Sequence, residues 1–435
     1  MKLREMSLLT WSLIIVGIIG MGLLGRFVYL RQTKPVRLYL GVYTDSSWDV
    51  PNGNEYKLLD QVISQFEKSH PNVKISYESG ITKDDYSAWL AEQVIKGQQP
   101  DIFILPQNDF NLLASTGALK KIDPYLSQLE SGIFFNSALK AGSYNGGQYA
   151  LPYETNPTMM CINKDLLERE GIKIPQSGWT FADFYKICKQ VTKDTNHDGQ
   201  IDQYGVTDYT WQQAMAAYQV SLFNDKGSQS YFNSEAAKKA LAAFSQLAEL
   251  TRRNQVTSDD FDEGKVAFLP MTLAQYRTYQ PYPYHVTKYS TFSWTCVEMP
   301  SAKARSNATQ TSTTLYAMSS KTKHSQLAWQ FLKLLCADKG VQQELFKSSQ
   351  GASVLRSVMR SPKTQLILKD DNFGTAALTA DTLTNMLTDA LVQPKFKKYN
   401  DVIDKADYLL TRSLRHQSID SDLADIQRQI EDALK

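Results

Sequence analysis

The sequence predicts an α/β protein built on doubly wound sheets, and three observations carry that expectation. Short alternating or continuous apolar runs recur as strands, segments with helical apolar spacing follow them, and polar loops punctuated by Pro, Gly and Asn lie between. The 435 residues, 42% hydrophobic, suffice for two or three buried cores.

The first element is an apolar segment. Residues 6 to 25 carry no charge, and about 20 residues of helix span roughly 30 Å, enough to cross a hydrocarbon core. Residues 1–33 therefore read as an N-terminal transmembrane anchor. Neither an A-x-A-like cleavage pattern nor a lipoprotein cysteine follows "GMGLLGRFVYLRQ", although removal as a signal peptide stays open. Lys2 and Arg4 on one side face Arg26, Arg31, Lys34 and Arg37 on the other, so charge does not orient the segment.

Beyond it, "RLYLGVY" alternates Leu38, Leu40 and Val42 as a strand, and "EYKLLDQVISQFEKS" places Leu58, Leu59, Val62, Ile63 and Phe66 on one helical face. "NVKISY" is the second strand. A helix over 86–95 leads to "PDIFILP", a buried strand closing at Pro106. A second α/β unit begins near "GGQYALPYETNP". In "SGWTFADF" Thr180 and Asp183 have capping-box spacing, and Trp179 and Phe184 stand where a hydrophobic staple needs them. The strand "YGVTDY", the helix "WQQAMAAYQV", a strand "KVAFLP" ending at Pro270 and the strand "TTLYAMSS" follow. Amphipathic helices fill most of the remainder, clearest in the stripe of Leu423, Ile426, Ile430 and Leu434.

Composition excludes several functions. Lys+Arg of 47 against Asp+Glu of 45 leaves no basic excess for nucleic acid. Cys161, Cys188, Cys296 and Cys336 form no C-x-x-C pair and sit in apolar contexts, so they read as buried thiols, with remote disulfides open outside the cell. No nucleophile elbow, zincin helix, phosphate loop or dinucleotide fingerprint occurs, so binding without turnover is the expectation.

Six phrases in order carry a resemblance: "LGVYTDSSW" with "QFEKSHPNVKISY", "GQQPDIFILPQNDFNLLASTGALKKIDPYL", "GGQYALPYETNPTMMCINKDLLEREGIKIPQSGWTFADF", "DTNHDGQIDQYG", "FDEGKVAFLPMT" and "SSKTKHSQLAWQFLKLLCADKGVQQELF". Over residues 36–360 the chain resembles the extracellular sugar-binding proteins of ABC importers, the family that includes maltose-binding protein. The resemblance implies two α/β lobes of the type II periplasmic-binding-protein architecture, joined by a hinge of crossing strands. One lobe would comprise 36–149 plus 301–352 and the other 150–300 plus 353–435. It also implies a carbohydrate ligand, an oligosaccharide, held between the lobes and passed to membrane permease subunits. The chain would stand on the extracytoplasmic face of a bacterial membrane.

A sugar cleft interleaves carboxylates and amides, which meet hydroxyls, with aromatic rings, which cover C–H faces. In open α/β sheets such residues belong on loops after the strands. Asp45, Ser46, Trp48, Asn52 and Glu55 follow the first strand; Gln107 and Asn108 follow the third. The resemblance puts Glu154 and Asn156 where the chain first passes between lobes. Trp179 and Trp211 are further ring candidates, and Met271, Thr272 and Tyr276 follow "KVAFLP". Trp294 and Thr313 flank the expected return crossing. Trp89 and Trp329 lie within helices and read as core.

"DTNHDGQIDQYG" sets Asp194, Asn196 and Asp198 at alternate positions before Gly199, with the Gln200 carbonyl next, as in the first part of an EF-hand loop. The twelfth position is Gly205 instead of Glu, so a complete EF-hand is excluded. A nine-residue variant closed by Asp202 would hold a structural calcium; a metal-free turn is the alternative. Two other functions stay open: a membrane-tethered sugar sensor for a signalling partner, and a glycoside hydrolase using Glu55 and Glu154.

Overall fold

The computed structural model describes residues 21, 35–44, 46–48, 56–251, 254–278, 292–370 and 378–435. The expected anchor, and Asp45, Asn52 and Glu55, lie outside them. Among the described residues no helix is long and apolar enough to cross a membrane.

Strands β1 (Val36–Gly41), β2 (Val73–Tyr77) and β3 (Ile102–Leu105) form a parallel set with β1 in the middle, in register from Val36↔Val73 to Leu40↔Tyr77. Their alternating or continuous apolar residues bury Leu38, Leu40 and all of β3 beneath the helices Lys57–Ser69 and Lys83–Ile95. Beyond β3 lies β10 (Thr311–Met318), antiparallel to it, and then β6 (Ala150–Asn163). Two short strands, β4 (Ser143–Tyr144) and β5 (Gly147–Gln148), make a separate hairpin.

The fourteen residues of β6 belong to two sheets. Its first half pairs with β10 and with β11 (Ala352–Ser353). Its second half pairs from Thr158↔Thr272 onward with β8 (Val266–Thr272) and at Met160–Asn163 with β9 (Trp294–Val297); β7 (Tyr204–Val206) lies parallel on β8. The Thr158 N–H donates to the Gln310 carbonyl (2.9 Å), and the side chains of Thr155 and Thr313 meet at 3.2 Å. Two crossing strands therefore form the junction between the lobes.

β8 does not stop at Pro270. That residue opposes Met160 but lies past the end of β7, so its missing N–H leaves no neighbour unpaired. The strand runs on to Thr272 and into the helix Leu273–Thr278.

The second lobe packs Met160, Ile162, Phe184 and Phe268 together. The capping box at Thr180 and Asp183 forms, and the Trp179 and Phe184 rings meet edge-on at 5.6 Å. Trp329 is wholly buried in the first lobe, its indole donating to Gln128 (2.9 Å), and Trp89 stacks on Tyr86.

The lobe boundaries differ from expectation at two places. Residues 301 and 302 still hydrogen-bond to Phe181 and Ala217 of the second lobe, and the return crossing comes at 309–311. The stretch after 353 stays with the first lobe: the Phe135 N–H donates to the Val354 carbonyl, and Ser137 Oγ to the Leu387 carbonyl. Only after Leu391, whose N–H donates to the Thr309 carbonyl at the hinge, does the chain pass to the second lobe. There the helices Tyr399–Arg415 and Ile419–Leu434 bury Leu410, Leu423, Ile426 and Ile430 against Trp211, Phe232 and Leu241. An amphipathic stripe states that a helix has an inner face; it does not state which lobe that face meets.

The cysteines separate into two kinds. Cys161 on β6 and Cys296 on β9 are directly opposed, with Cα atoms 4.2 Å apart, and form a disulfide. The buried-thiol reading fails for this pair because strand pairing, invisible in the sequence, brings together residues 135 positions apart. It holds for Cys188 and Cys336, which are free and buried.

Candidate functional site

A cavity of about 110 Å³ opens where β1, β6 and β10 meet the end of the helix Lys339–Ser348. Its walls are the loop after β1 (Thr44, Ser46, Ser47, Trp48), Tyr56 and Leu59 at the start of the next helix, Tyr153 and Glu154 on β6, Tyr316 on β10, and Ser348, Ser349 and Gln350. The loop is tied locally: the Trp48 N–H donates to Ser46 Oγ, Tyr43 to Ser47 Oγ, and Lys83 Nζ to the Ser47 carbonyl. Tyr153 and Tyr316 meet edge-on at 5.1 Å, giving the floor a rigid aromatic surface.

Glu154 is the carboxylate of this cavity and is 3% exposed. Its Oε1 accepts from Ser349 Oγ and from the Gly351 N–H (2.8 Å). Burial pushes its pKa above the usual carboxylate range; the Ser349 and Gly351 bonds, the nearby Trp48 indole and the charge of Arg277 oppose that rise. The Trp48 Nε1–H, though close enough to favour the carboxylate, is buried and meets no acceptor in hydrogen-bond geometry among the described residues. Rings, a carboxylate and an unsatisfied donor in one cavity match a ligand that presents both C–H faces and hydroxyls.

Of the residues singled out in the sequence, the structure brings Ser46, Trp48 and Glu154 together here. Gln107 and Asn108 open the helix Gln107–Ser115 outside the cavity, where the Gln107 amide donates to Gln393 and the Asn108 carbonyl accepts from Asn400 (2.7 Å). Asn156 is 4% exposed and its Oδ1 caps the helix Leu273–Thr278 by accepting from the Ala274 N–H (3.0 Å). Thr272 forms a reciprocal cap with Gln275 on the same helix.

The remaining candidates pack in cores. Trp179 is 6% exposed, stacks near Phe268 and donates to the Glu298 carbonyl (2.8 Å). Trp211 opens the expected helix, and its Nε1 donates to Asp407 (2.8 Å). Met271 is buried opposite Met159, Tyr276 is buried edge-on to Trp294, and Thr313 is buried against Thr155. Met271 and Thr313 lie within strands and Tyr276 on the helix after β8, and each side chain takes the inward side of its pleat or helix.

Comparison with known proteins decides the family. The model of the bacterial extracellular solute-binding proteins matches residues 61–374. The chain belongs to that family. A binding protein of Brucella abortus (strain 2308) is 25% identical over 220 residues, 48% of this chain and 53% of that protein. The maltotriose-binding protein of Pyrococcus abyssi is 28% identical over 120 residues, 28% of this chain and 26% of that protein. This solute-binding protein thus spans about half the length, or less, of these curated relatives. Among solved structures, the cyclic alpha-maltosyl-1,6-maltose binding protein of Arthrobacter globiformis shares its fold with TM-score 0.75 at 15% identity, covering 92% of this chain and 99% of that one. The sugar-binding protein MalE of Xanthomonas citri does so with TM-score 0.74 at 15% identity, covering 92% and 97%.

The calcium-like loop of this solute-binding protein is held by its own oxygens. Asp194 accepts from the His197 and Gly199 N–H groups, Asn196 from Asp198, and Asp198 from Gln200, while Asp202 takes the Thr195 N–H and hydroxyl. Gly199, at φ 91°, supplies the turn. Among the described residues no three His, Cys, Asp or Glu side chains converge as metal ligands, so Asp194, Asp198 and Asp202 do not meet as an ion requires. Asp202, the expected closing ligand, is directed to Thr195.

Sequence reasoning missed Tyr153, Tyr316, Ser349, Gln350 and Gly351. The polar run "KSSQGAS" after an amphipathic helix was the available signal, but only β11, pairing with β6 at Thr155 and Glu154, brings it to the cavity.

Proposed function

We propose that this protein captures a carbohydrate, an oligosaccharide, between its lobes and delivers it to the permease subunits of an ABC transporter, without chemical turnover. The observation that carries the reading is the hinge-strand carboxylate Glu154 set among Trp48, Tyr56, Tyr153 and Tyr316. Ligand bridging both lobes would favour the closed arrangement by its differential affinity, and the permease would read that arrangement. Structures of similar fold include a cyclo/maltodextrin-binding protein with maltotetraose and a protein with mannotriose bound, which supports the substrate class. Family membership supports an extracytoplasmic location, and the uncharged stretch of residues 6 to 25 supports a membrane tether. A calcium ion at residues 194–202 belongs to the proposal only with a rearranged loop, and its support is the alternation of oxygen-bearing side chains.

The test is a thermal-shift and calorimetry screen of the chain from Lys34 onward against maltotetraose, mannotriose and their monosaccharides. A ligand at a hundredfold excess over Kd stabilises by about 2.7 kcal/mol. No shift with any saccharide would refute the substrate class, and cleavage products after long incubation would refute binding without turnover.

A further inference from the structure

The helix Leu273–Thr278 follows β8 in the second lobe, yet its Arg277 side chain ends on the first lobe. Nη1 donates to the carbonyls of Phe346 (2.8 Å), Ser349 (2.6 Å) and Gly351 (3.4 Å), and the guanidinium lies 4.8 Å from the centre of the Phe346 ring. The Phe346 carbonyl lies in the last turn of the helix Lys339–Ser348, which presents unpaired oxygens and the negative end of its dipole; Ser349 is its C-cap and Gly351 lies just beyond. The same short segment grips Glu154 from its other side, through Ser349 Oγ and the Gly351 N–H. The fit has no slack: a Cβ at Gly351 would lie 2.5 Å from Glu154 Oε1 and 2.6 Å from its carboxyl carbon.

We propose that Arg277 is a positioning residue which, from the second lobe, clamps the 349–351 segment and so orients the Glu154 carboxylate in the cavity, coupling lobe arrangement to ligand affinity. The inference rests on the reading of Glu154 as a ligand contact. When the lobes part, Arg277 leaves the three carbonyls, the segment loses its clamp and Glu154 loses its nearby positive charge. When they meet, the carboxylate is fixed and gains that charge in the same movement. Among the described residues the groups facing Glu154 are few: Arg277 from the second lobe, Ser349 and Gly351 beyond the helix, Trp48 from the β1 loop, and Tyr153, whose hydroxyl pKa is raised by burial first and by the carboxylate second. Arg277 is thus the cation among them. All three bonds leave one nitrogen, Nη1, while the flat guanidinium also lies against the Phe346 ring, a contact that the compact lysine ammonium does not reproduce.

The experiment measures saccharide affinity of the full chain by calorimetry from pH 5 to 8 for wild type, Arg277→Gln and Arg277→Lys, with a 13C-glutamate NMR titration of Glu154 in each. Wild type loses affinity as Glu154 protonates at acid pH. In Arg277→Gln that limb moves to higher pH by about one unit, equal to about tenfold weaker binding on the acid side, and the Glu154 resonance titrates with it. Arg277→Lys keeps the limb near its wild-type position and binds more weakly across the whole range. Circular dichroism establishes that each variant is folded; should Arg277→Gln fail to fold, Ser349→Ala tests the same grip and is expected to move the limb the same way. Wild type that binds no saccharide would overturn the proposed function. Wild type that binds, with unchanged pH profile and Glu154 titration in Arg277→Gln, would overturn this inference alone.

Discussion

Replacing Glu154 with Gln keeps the shape of the cavity carboxylate and removes its charge. The Ser349 hydroxyl and Gly351 N–H both need an acceptor, so they hold the Gln carbonyl oxygen where Oε1 stands and turn the amide nitrogen to the position of Oε2. A ligand hydroxyl that donated to a carboxylate then loses a charge-assisted bond of roughly 1.5–3 kcal/mol, and its ordinary replacement is worth roughly 0.5–1.5. The difference of about 1–2 kcal/mol is roughly five- to thirtyfold in Kd, read by calorimetry at neutral pH. Stability moves the other way. Burial raises the folded-state pKa of Glu154 above its ordinary unfolded value, so between those two values the folded protein binds more protons and wild type loses stability as pH rises. Glu154→Gln has no such loss. The Tm difference, variant minus wild type, should therefore grow from acid to neutral pH. A difference that shrinks as pH rises would mean that the fold favours the charged carboxylate and would refute the argument.

The disulfide closes a loop of 135 residues, so Cys161→Ser should cost about 2–4 kcal/mol, seen as a lower urea midpoint; an unchanged midpoint would refute the pairing. Alkylation of unfolded, unreduced protein should label Cys188 and Cys336 alone. Trp211→Phe removes the donor to Asp407 far from the cavity and should lower stability by about 1 kcal/mol with saccharide affinity unchanged, whereas a cleft platform would lose binding. If calcium binds the 194–202 loop, millimolar calcium should raise Tm and chelation reverse it, with saccharide affinity intact; equal Tm in both would remove the ion from the proposal.

Local physics was legible along the chain. The alternation of Leu38 and Leu40, the apolar run of β3, the Thr180–Asp183 box and the stripe of Leu423, Ile426 and Ile430 each act within a few residues, and each forms as read. Of the residues read as ligand contacts, Ser46, Trp48 and Glu154 line one cavity. The site was not legible at Asn156, whose amide suits a sugar as well as a helix start; only the nearness of Ala274 chooses the cap. Trp179 and Trp211 show the same limit, since a ring satisfies core and cleft equally until its neighbours are known.

The sequence by itself determined the order of strands and helices, the family, and the strand that crosses between lobes, because apolar period, caps and turns are short-range. The tertiary structure decided what depends on pairing distant segments. It joined Cys161 to Cys296, kept residues 354–370 and 378–387 with the first lobe, turned Asp202 to Thr195, and set Arg277 on the carbonyls beside Glu154. Those contacts join residues far apart in the chain or turn on side-chain direction, and burial and hydrogen-bond geometry select them only after the lobes have packed.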